Sequence, residues 1–356
     1  MKSINRGLVA GAGFFGSVGL GISLTAACLA VSGSALAGEI KDAPRFTKAK
    51  DYTSAKDWNL KAENLVTTGV NPLYDPLKPG FKFIMERPDH PDGYYRKEVI
   101  VLDKTEPFDI PGIGKFEARV VQEEEFLDGR YMQQALNWLA IDKTNNNVYA
   151  FGEVSWEVDK DGNKIFEGTW RAGELDGNGV AEAGLLMPGG PFKVGYRYIF
   201  DGSESEAFGG SENMEAGVKI TTPAGKFENC VRVREQGLID IKDITDKVWC
   251  PGIGIVYDTS DGKLVASDAL PNTNIASFGK FHREKPAAFT PPVAKISGSQ
   301  ATQIALKAVP GKARAVSVER KMGKNVYVVE IIAKKDKRET DVFVDIETGK
   351  VVGTDL

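Results

Sequence analysis

The strand pattern of this chain is clearest at residues 131–172, which read YMQQALNWLAID-KTNNN-VYAFGEVSWEVD-KDGN-KIFEGTWRA. Runs at 131–142, 147–159 and 164–172 are rich in aromatic, β-branched and alternating residues, and clusters of Asn, Asp and Gly separate them. A period of two is typical of strands, and such clusters are typical of hairpin turns. The stretch therefore predicts consecutive antiparallel strands.

The same pattern continues on both sides of this stretch. Further strands are expected at 81–86, 97–104, 115–125, 195–200, 215–221, 226–235 and 247–258. Because no part of 70–280 has a long helical period, the prediction is a mainly β domain, an antiparallel meander that forms a barrel or half-barrel. Residues 38–69 are rich in Lys, Ala and Asp without a clear period, and they are predicted to be an N-terminal arm or linker.

A small α+β domain is predicted at 295–356, after a Pro-rich linker at 281–294. Ala301, Ile304 and Ala305 lie on one apolar face of a helix expected at 300–309, and Pro310-Gly311 ends that helix. Strand-like runs follow at 313–321, 325–333 and 339–345. The module is therefore expected to be a helix and a three-stranded sheet.

Residues 1–37 have the three parts of a signal peptide: basic residues at Lys2 and Arg6, an apolar stretch, and an exit of small residues at 35–37. The Gly and Ser content of the stretch favours cleavage over an uncleaved membrane anchor, and the residues before Cys28 fit a lipoprotein signal poorly. Residues 11–16 match G-x-G-x-x-G, but they lie inside this segment and not between a strand and a helix. We expect a periplasmic or secreted protein without an integral membrane segment after cleavage.

The charge of the chain argues against nucleic acid as a partner. Without residues 1–37 the chain has 43 basic and 49 acidic residues, a net charge of −6. Nucleic-acid binding needs a basic face to neutralise phosphates.

Two cysteines, Cys230 and Cys250, remain after the signal segment is removed. Each lies in a predicted strand, and an oxidising compartment favours a disulfide between them. Two buried free thiols and a metal or redox site are the alternatives, although neither a C-x-x-C motif nor a nearby His is present.

The sequence lacks a recognisable catalytic set, so we expect a protein that is not an enzyme, and a hydrolase is the least favoured function. The two histidines, His90 and His282, lie in a Pro-bounded turn and at the start of the linker, whereas a hydrolase holds its imidazole on a rigid scaffold. His90 with Asp89 and Asp92 could form a loose metal site, but surface histidines are the simpler interpretation.

Carboxylates are the abundant reactive groups. Residues 123–125, three consecutive glutamates, are predicted to be a solvated charge run at a strand end, and the Asp-rich segments at 159–163 and 176–179 are predicted to be turns. On the C-terminal sheet Asp341 and Asp345 share a face, because strand side chains alternate. Glu330 or Glu339 lies opposite them, depending on the register. These four residues are the candidate ligands for Ca²⁺ or another hard cation; no other cofactor is expected.

Aromatic residues suggest a possible ligand site in the β domain. Trp138, Tyr149, Trp156 and Trp170 could line the inside of a curved sheet, where an unfilled interior would accept an apolar molecule. A packed core is the preferred interpretation, and the ligand site is the alternative.

Two families resemble parts of the chain. Leu77-Lys78-Pro79-Gly80, residues 149–153, 168–173 and 251–256 follow an order seen in exported bacterial β proteins, so the body resembles DUF3108-type or lipoprotein-carrier-like barrels and half-barrels. Val309-Pro310-Gly311, residues 327–331, Val344-Asp345 and residues 348–352 resemble a PepSY domain.

The PepSY resemblance implies a binding or regulatory module without catalytic residues. Such modules occur in propeptides of secreted peptidases and in other exported proteins, and some periplasmic members bind cations. We therefore expect an exported, non-catalytic binding or regulatory protein whose module contacts a secreted or envelope protein. The alternative is a small-ligand binder, with an apolar molecule in the β domain or a cation on the module.

Overall fold

The computed structural model describes residues 49–158, 164–176, 179–204, 207–239, 241–280, 296, 298–321 and 324–355. The predicted signal peptide, the linker and the turn at 159–163 lie outside the described residues. The body contains these strands: β1 (Leu65–Val66), β2 (Lys82–His90), β3 (Gly93–Ile110), β4 (Gly114–Leu127), β5 (Arg130–Asp142), β6 (Val148–Val158), β7 (Lys164–Arg171), β8 (Leu175–Asp176), β9 (Gly179–Val180), β10 (Gly184–Met187), β11 (Arg197–Ser203), β12 (Ala207–Thr222), β13 (Gly225–Gly237), β14 (Ile244–Cys250), β15 (Gly254–Asp258) and β16 (Gly262–Ser267).

The strands of the body form a single antiparallel sheet that curls into a nearly closed barrel. Its order is β10-β6-β5-β4-β3-β2-β16-β15-β14-β13-β12-β11, with β1 beside β5 and β7 beside β6, while β8 and β9 pair separately. The two ends of the sheet meet where the Glu182 amide donates to the Gly202 carbonyl at 2.9 Å. A Cβ atom on Gly184 would overlap the Phe200 carbonyl, which shows how closely the two end strands approach there. The predicted β class is confirmed, in its barrel form.

Residues 49–69 belong to the barrel, and their prediction as an arm or linker was wrong for this part. The Thr53 amide donates to the Arg197 carbonyl, and Thr53 in turn accepts from the Ile199 amide at 2.9 Å, so this segment covers the open edge of β11. Leu60 and Leu65 are buried in the core. The segment has no strand period because it crosses the barrel in short turns, including three 3₁₀ turns, instead of running along one strand.

The strand predicted at 247–258 is two strands. Pro251 removes one backbone donor and Gly252 has a φ of 72°, so β14 turns sharply into β15 at this point. Strand β16 was not predicted. It nevertheless joins the two halves of the sheet by pairing with β2, for example Ser267 with Phe83.

The C-terminal module consists of helix α1 (Gly298–Ala308) and strands β17 (Gly311–Lys321), β18 (Lys324–Ala333), β19 (Glu339–Asp345) and β20 (Val351–Asp355). The sheet has four strands in sequence order, so the prediction of three was one strand too few. The missed strand follows the turn at 347–350, where Gly349 has a φ of 66°. Only residues 351–352 of β20 are strongly strand-forming, which is why the sequence pattern did not extend to Asp355.

A large apolar cluster fills one part of the barrel. It includes Phe108, Phe116, Tyr149, Phe151 and Trp249, with Phe116 and Phe151 packed at a centroid distance of 4.6 Å. Among the described residues no helix has both the length and the apolar character required to cross a bilayer.

Candidate functional site

The C-terminal module packs its helix-covered face against the barrel wall formed by β5 and β6. Val154 and Trp156 of β6 belong to the same buried apolar cluster as Ala301 and Ala305 of α1 and Val329 of β18. The cluster also contains Val316, Tyr327, Ile331, Val342, Val344 and Ile346, and Leu136 and Trp138 of β5 pack against it. The module therefore completes its core with side chains of the barrel.

Arg171 lies beside this contact. Its guanidinium stacks on the Phe108 ring at 3.8 Å and lies 5.0 Å from the Trp138 ring, and it also donates to the Pro107 carbonyl. Burial lowers the pKa of Arg171, although Glu174 and Glu106 act in the opposite direction. A planar cation held over aromatic faces tolerates such desolvation better than an ammonium group does.

The four candidate cation ligands do not form one site. Glu330 and Asp341 are opposite each other on β18 and β19, but Glu339 and Asp345 lie at the two ends of β19. Six residues of strand separate the two ends by about 20 Å. Glu339 forms an ion pair with Arg314 at 3.1 Å and Asp345 one with Lys324 at 2.8 Å. In the described part of the chain no group of three or more His, Cys, Asp or Glu residues is arranged to hold a metal ion.

Asp345 has a structural role in the turn before β20. Its Oδ1 accepts the amides of Glu347 and Thr348, at 3.1 and 2.9 Å. Burial of Asp345 works to raise its pKa, but the hydrogen bonds from Lys324 and these two residues outweigh it and lower the pKa to about 2. The carboxylate is therefore an acceptor that fixes the turn.

The four aromatic candidates are packed and do not line a common cavity. Trp138 and Trp156 contact the C-terminal module, whereas Tyr149 and Trp170 lie in the barrel core. Trp58 covers Tyr149 at a centroid distance of 5.5 Å. All four residues therefore lie in packed apolar clusters, as the packed-core interpretation predicted.

A small cavity lies elsewhere in the barrel, lined mainly by apolar side chains, with Tyr74, Asp75 and Glu123 also in its wall. It measures about 20 Å³. Pockets for small-molecule ligands hold about 300–1,000 Å³, so this cavity is a void in a packed interior.

Glu123 and Glu124 are buried and Glu125 is half-buried, so the prediction of a solvated charge run was wrong. The ammonium group of Lys97 on β3 lies 2.8 Å from Glu123, 3.4 Å from Glu125 and 2.9 Å from Asp261. Strand β3 alternates Tyr95, Lys97, Val99 and Val101 on one buried face, so charged residues continue inward positions that are apolar further along the strand. A charged residue at an inward-facing position of the alternation is therefore the sequence signal for an internal ion cluster.

A second buried lysine extends the cluster. Lys247 of β14 pairs with Glu235 of β13, and its ammonium nitrogen lies 3.9 Å from Asp258 Oδ2. Asp258 Oδ1 accepts the amides of Ser260 and Asp261, which brings the two lysine groups together around this turn. Lys97, Lys247 and the carboxylates of Glu123, Glu125, Glu235, Asp258 and Asp261 are called the internal ion network below.

The predicted disulfide is confirmed. Cys230 and Cys250 face each other across β13 and β14, with their Cα atoms 4.2 Å apart.

His90 stacks on Tyr95 at a centroid distance of 5.5 Å, and its Nδ1 accepts the Asp92 amide at 3.2 Å. His282 lies outside the described residues.

Comparison with protein families identifies the module. Residues 295–355 match the model of the peptidase propeptide and YPEB domain, abbreviated PepSY. These residues form a PepSY domain. The match agrees with the module expected at 295–356 and covers this part of the chain alone. PepSY domains are generally regulatory or inhibitory modules.

Searches of curated proteins and of solved structures found no match to the chain. The resemblance of the barrel to DUF3108-type or lipoprotein-carrier-like proteins stays a prediction.

Proposed function

We propose that this is an exported, non-catalytic regulatory protein whose PepSY domain binds a secreted or envelope protein. The regulatory or inhibitory character of PepSY domains supports this function, and a disulfide fits an oxidising compartment. The N-terminal signal pattern adds to the argument for export.

The observation that carries the proposal is the orientation of the PepSY domain on the barrel. Its helix-covered face is occupied by Val154 and Trp156, so a partner has to approach from the remaining sides. Strand β20 pairs with β19 and is the last strand in the order of this sheet. A sheet edge offers backbone donors and acceptors to which an extended segment of another protein can add.

The test is capture of a partner from the envelope fraction with the full chain as bait. A double variant at exposed positions of the edge, Val351→Arg with Thr354→Arg, places two bulky cations on β20. The matched control, Lys334→Glu with Lys335→Glu, changes the exposed turn after β18. We expect one or more proteins to be enriched with the wild type and with the control, and lost with the edge variant.

A protein captured in this way has to bind the purified chain with the same pattern across the variants. Equal binding by the edge variant would place the contact elsewhere and contradict the orientation argument. Turnover of any substrate by the purified protein would contradict the non-catalytic assignment.

A further inference from the structure

The internal ion network has more acidic than basic groups. Around Lys97 lie three carboxylates, and around Lys247 lie two. If every group were ionised, five negative charges would face two positive charges, inside a barrel where Lys97, Lys247 and Asp258 have almost no contact with solvent.

The described surroundings add one cation and further acidic groups. Arg87 of β2 donates to the Ser260 carbonyl at 3.2 Å, at the turn that holds Asp258 and Asp261, and the negative charges stay in excess. From β3, Tyr95 donates its hydroxyl to Asp261 at 3.1 Å, and from β5, Asn137 donates to Glu123 at 3.1 Å. Asp75 lies beyond Glu123 across the small cavity, which adds another carboxyl group on that side. At the rim, Asp243 acts on Glu235 with a further negative charge.

In a buried site, a carboxyl group without a compensating cation has a lower free energy when it is protonated than when it is charged. We infer that the barrel interior is a proton-binding site, in which carboxylates of the internal ion network hold protons near neutral pH. This inference concerns the barrel and does not depend on the PepSY partner.

The pKa shifts agree with the geometry. Burial raises the pKa of Glu125 to about 7, against the opposing effect of Lys97. Burial, followed by the charge of Asp261, raises the pKa of Asp258 to about 7. Burial also raises the pKa of Glu123 and of Glu235.

The sign of the stability effect follows from these directions. A carboxyl group in the unfolded chain titrates near pH 4, so between about pH 4 and 7 the folded barrel binds more protons than the unfolded chain. The stabilisation is greatest at the acidic end of this range and is lost as the pH rises through the folded pKa values. Each extra bound proton changes the folding equilibrium constant about tenfold per pH unit.

The experiment unfolds the full, disulfide-bonded chain with urea at pH 6.0 in weak buffer and records the protons released. Compared with the wild type, Asp258→Asn and Glu125→Gln are each expected to release roughly one proton fewer per chain, because each removes one titrating carboxyl without changing its shape. Asp103→Asn is the matched control, since its side chain is 91 % exposed and lies outside the network.

The urea midpoint gives a second readout. The urea concentration at the unfolding midpoint of the wild type should decrease as the pH is raised from 6 to 8.5. The decrease should be smaller in the two network variants than in the control. If one variant does not fold, the other variant and the wild-type midpoints still test whether the folded barrel binds the extra protons. A wild-type midpoint that stays constant or rises over this range, with equal proton release by all the proteins, would overturn the inference.

Discussion

Replacing Trp156 by alanine tests how the PepSY domain is held on the barrel. Trp156 is 2 % exposed and shares its apolar cluster with α1 and the PepSY sheet. A buried tryptophan removes roughly 150–250 Å² from water, which at about 25 cal/mol per Å² corresponds to ~4–6 kcal/mol. Buried Trp→Ala substitutions cost about 3–5 kcal/mol, so we expect a loss of about 4 kcal/mol in this contact.

The assay is hydrogen exchange measured by mass spectrometry, which reports opening of each part of the chain. If PepSY amides exchange when the domain leaves the barrel, a loss of about 4 kcal/mol accelerates their exchange by up to roughly a thousandfold. The peptides that cover 298–355 should therefore accelerate more than those that cover β2–β4.

Trp249→Ala is the control, because Trp249 is also 2 % exposed but lies in the barrel core, stacked on Tyr74 at 5.0 Å. It should destabilise the barrel by a similar amount without a selective effect on 298–355. Unchanged PepSY exchange in Trp156→Ala, or equal acceleration of both regions, would refute the shared-core reasoning.

Three further predictions concern the covalent, steric and acid-sensitive parts of the fold. Replacing Cys230 and Cys250 together by alanine should lower the free energy of unfolding by about 3 kcal/mol, measured by urea denaturation, because a 20-residue loop is no longer closed in the unfolded chain; no change would argue against the bridge. Gly184→Ala should cost about 1–3 kcal/mol or more, because its methyl group meets backbone where the barrel closes, whereas Gly190→Ala has open space and should be neutral in the same thermal melt. Asp345→Asn should remove stability that the wild type has above about pH 4 and loses as the pH falls towards 2; an NMR titration that gives Asp345 an ordinary pKa would contradict this.

Local patterns predicted the elements well where the stabilising contacts are also local. The PepSY helix, its stop at Pro310-Gly311 and the strand Glu339–Asp345 follow from spacing and turn residues within a few positions. Most hairpins of the barrel were predicted for the same reason, and so was the disulfide, whose cysteines lie on adjacent strands.

Long-range contacts account for the errors. Residues 123–125 were predicted to be solvated, because the cluster around Glu123 and Lys97 includes Asp261. Asp261 is 164 positions from Lys97 and reaches it only when the sheet curls. Trp156 was a candidate for lining a ligand site inside the barrel. The residues that cover it lie instead in a domain more than 140 positions further along the chain. The segment around Thr53 has no period of its own and acquires its place from the edge of β11.

The pairing of β2 with β16 has a consequence for how the chain folds. About 180 residues separate the paired positions, and Thr53 and Tyr198 are 145 positions apart. The other neighbours in the sheet are mostly consecutive hairpins, so these distant pairings are expected to form last, because a long loop must close before its contacts form. During synthesis, β2 therefore lacks its partner strand β16 until the chain has reached position 267. Late closure is compatible with the proposed export, in which the chain crosses a membrane before it folds.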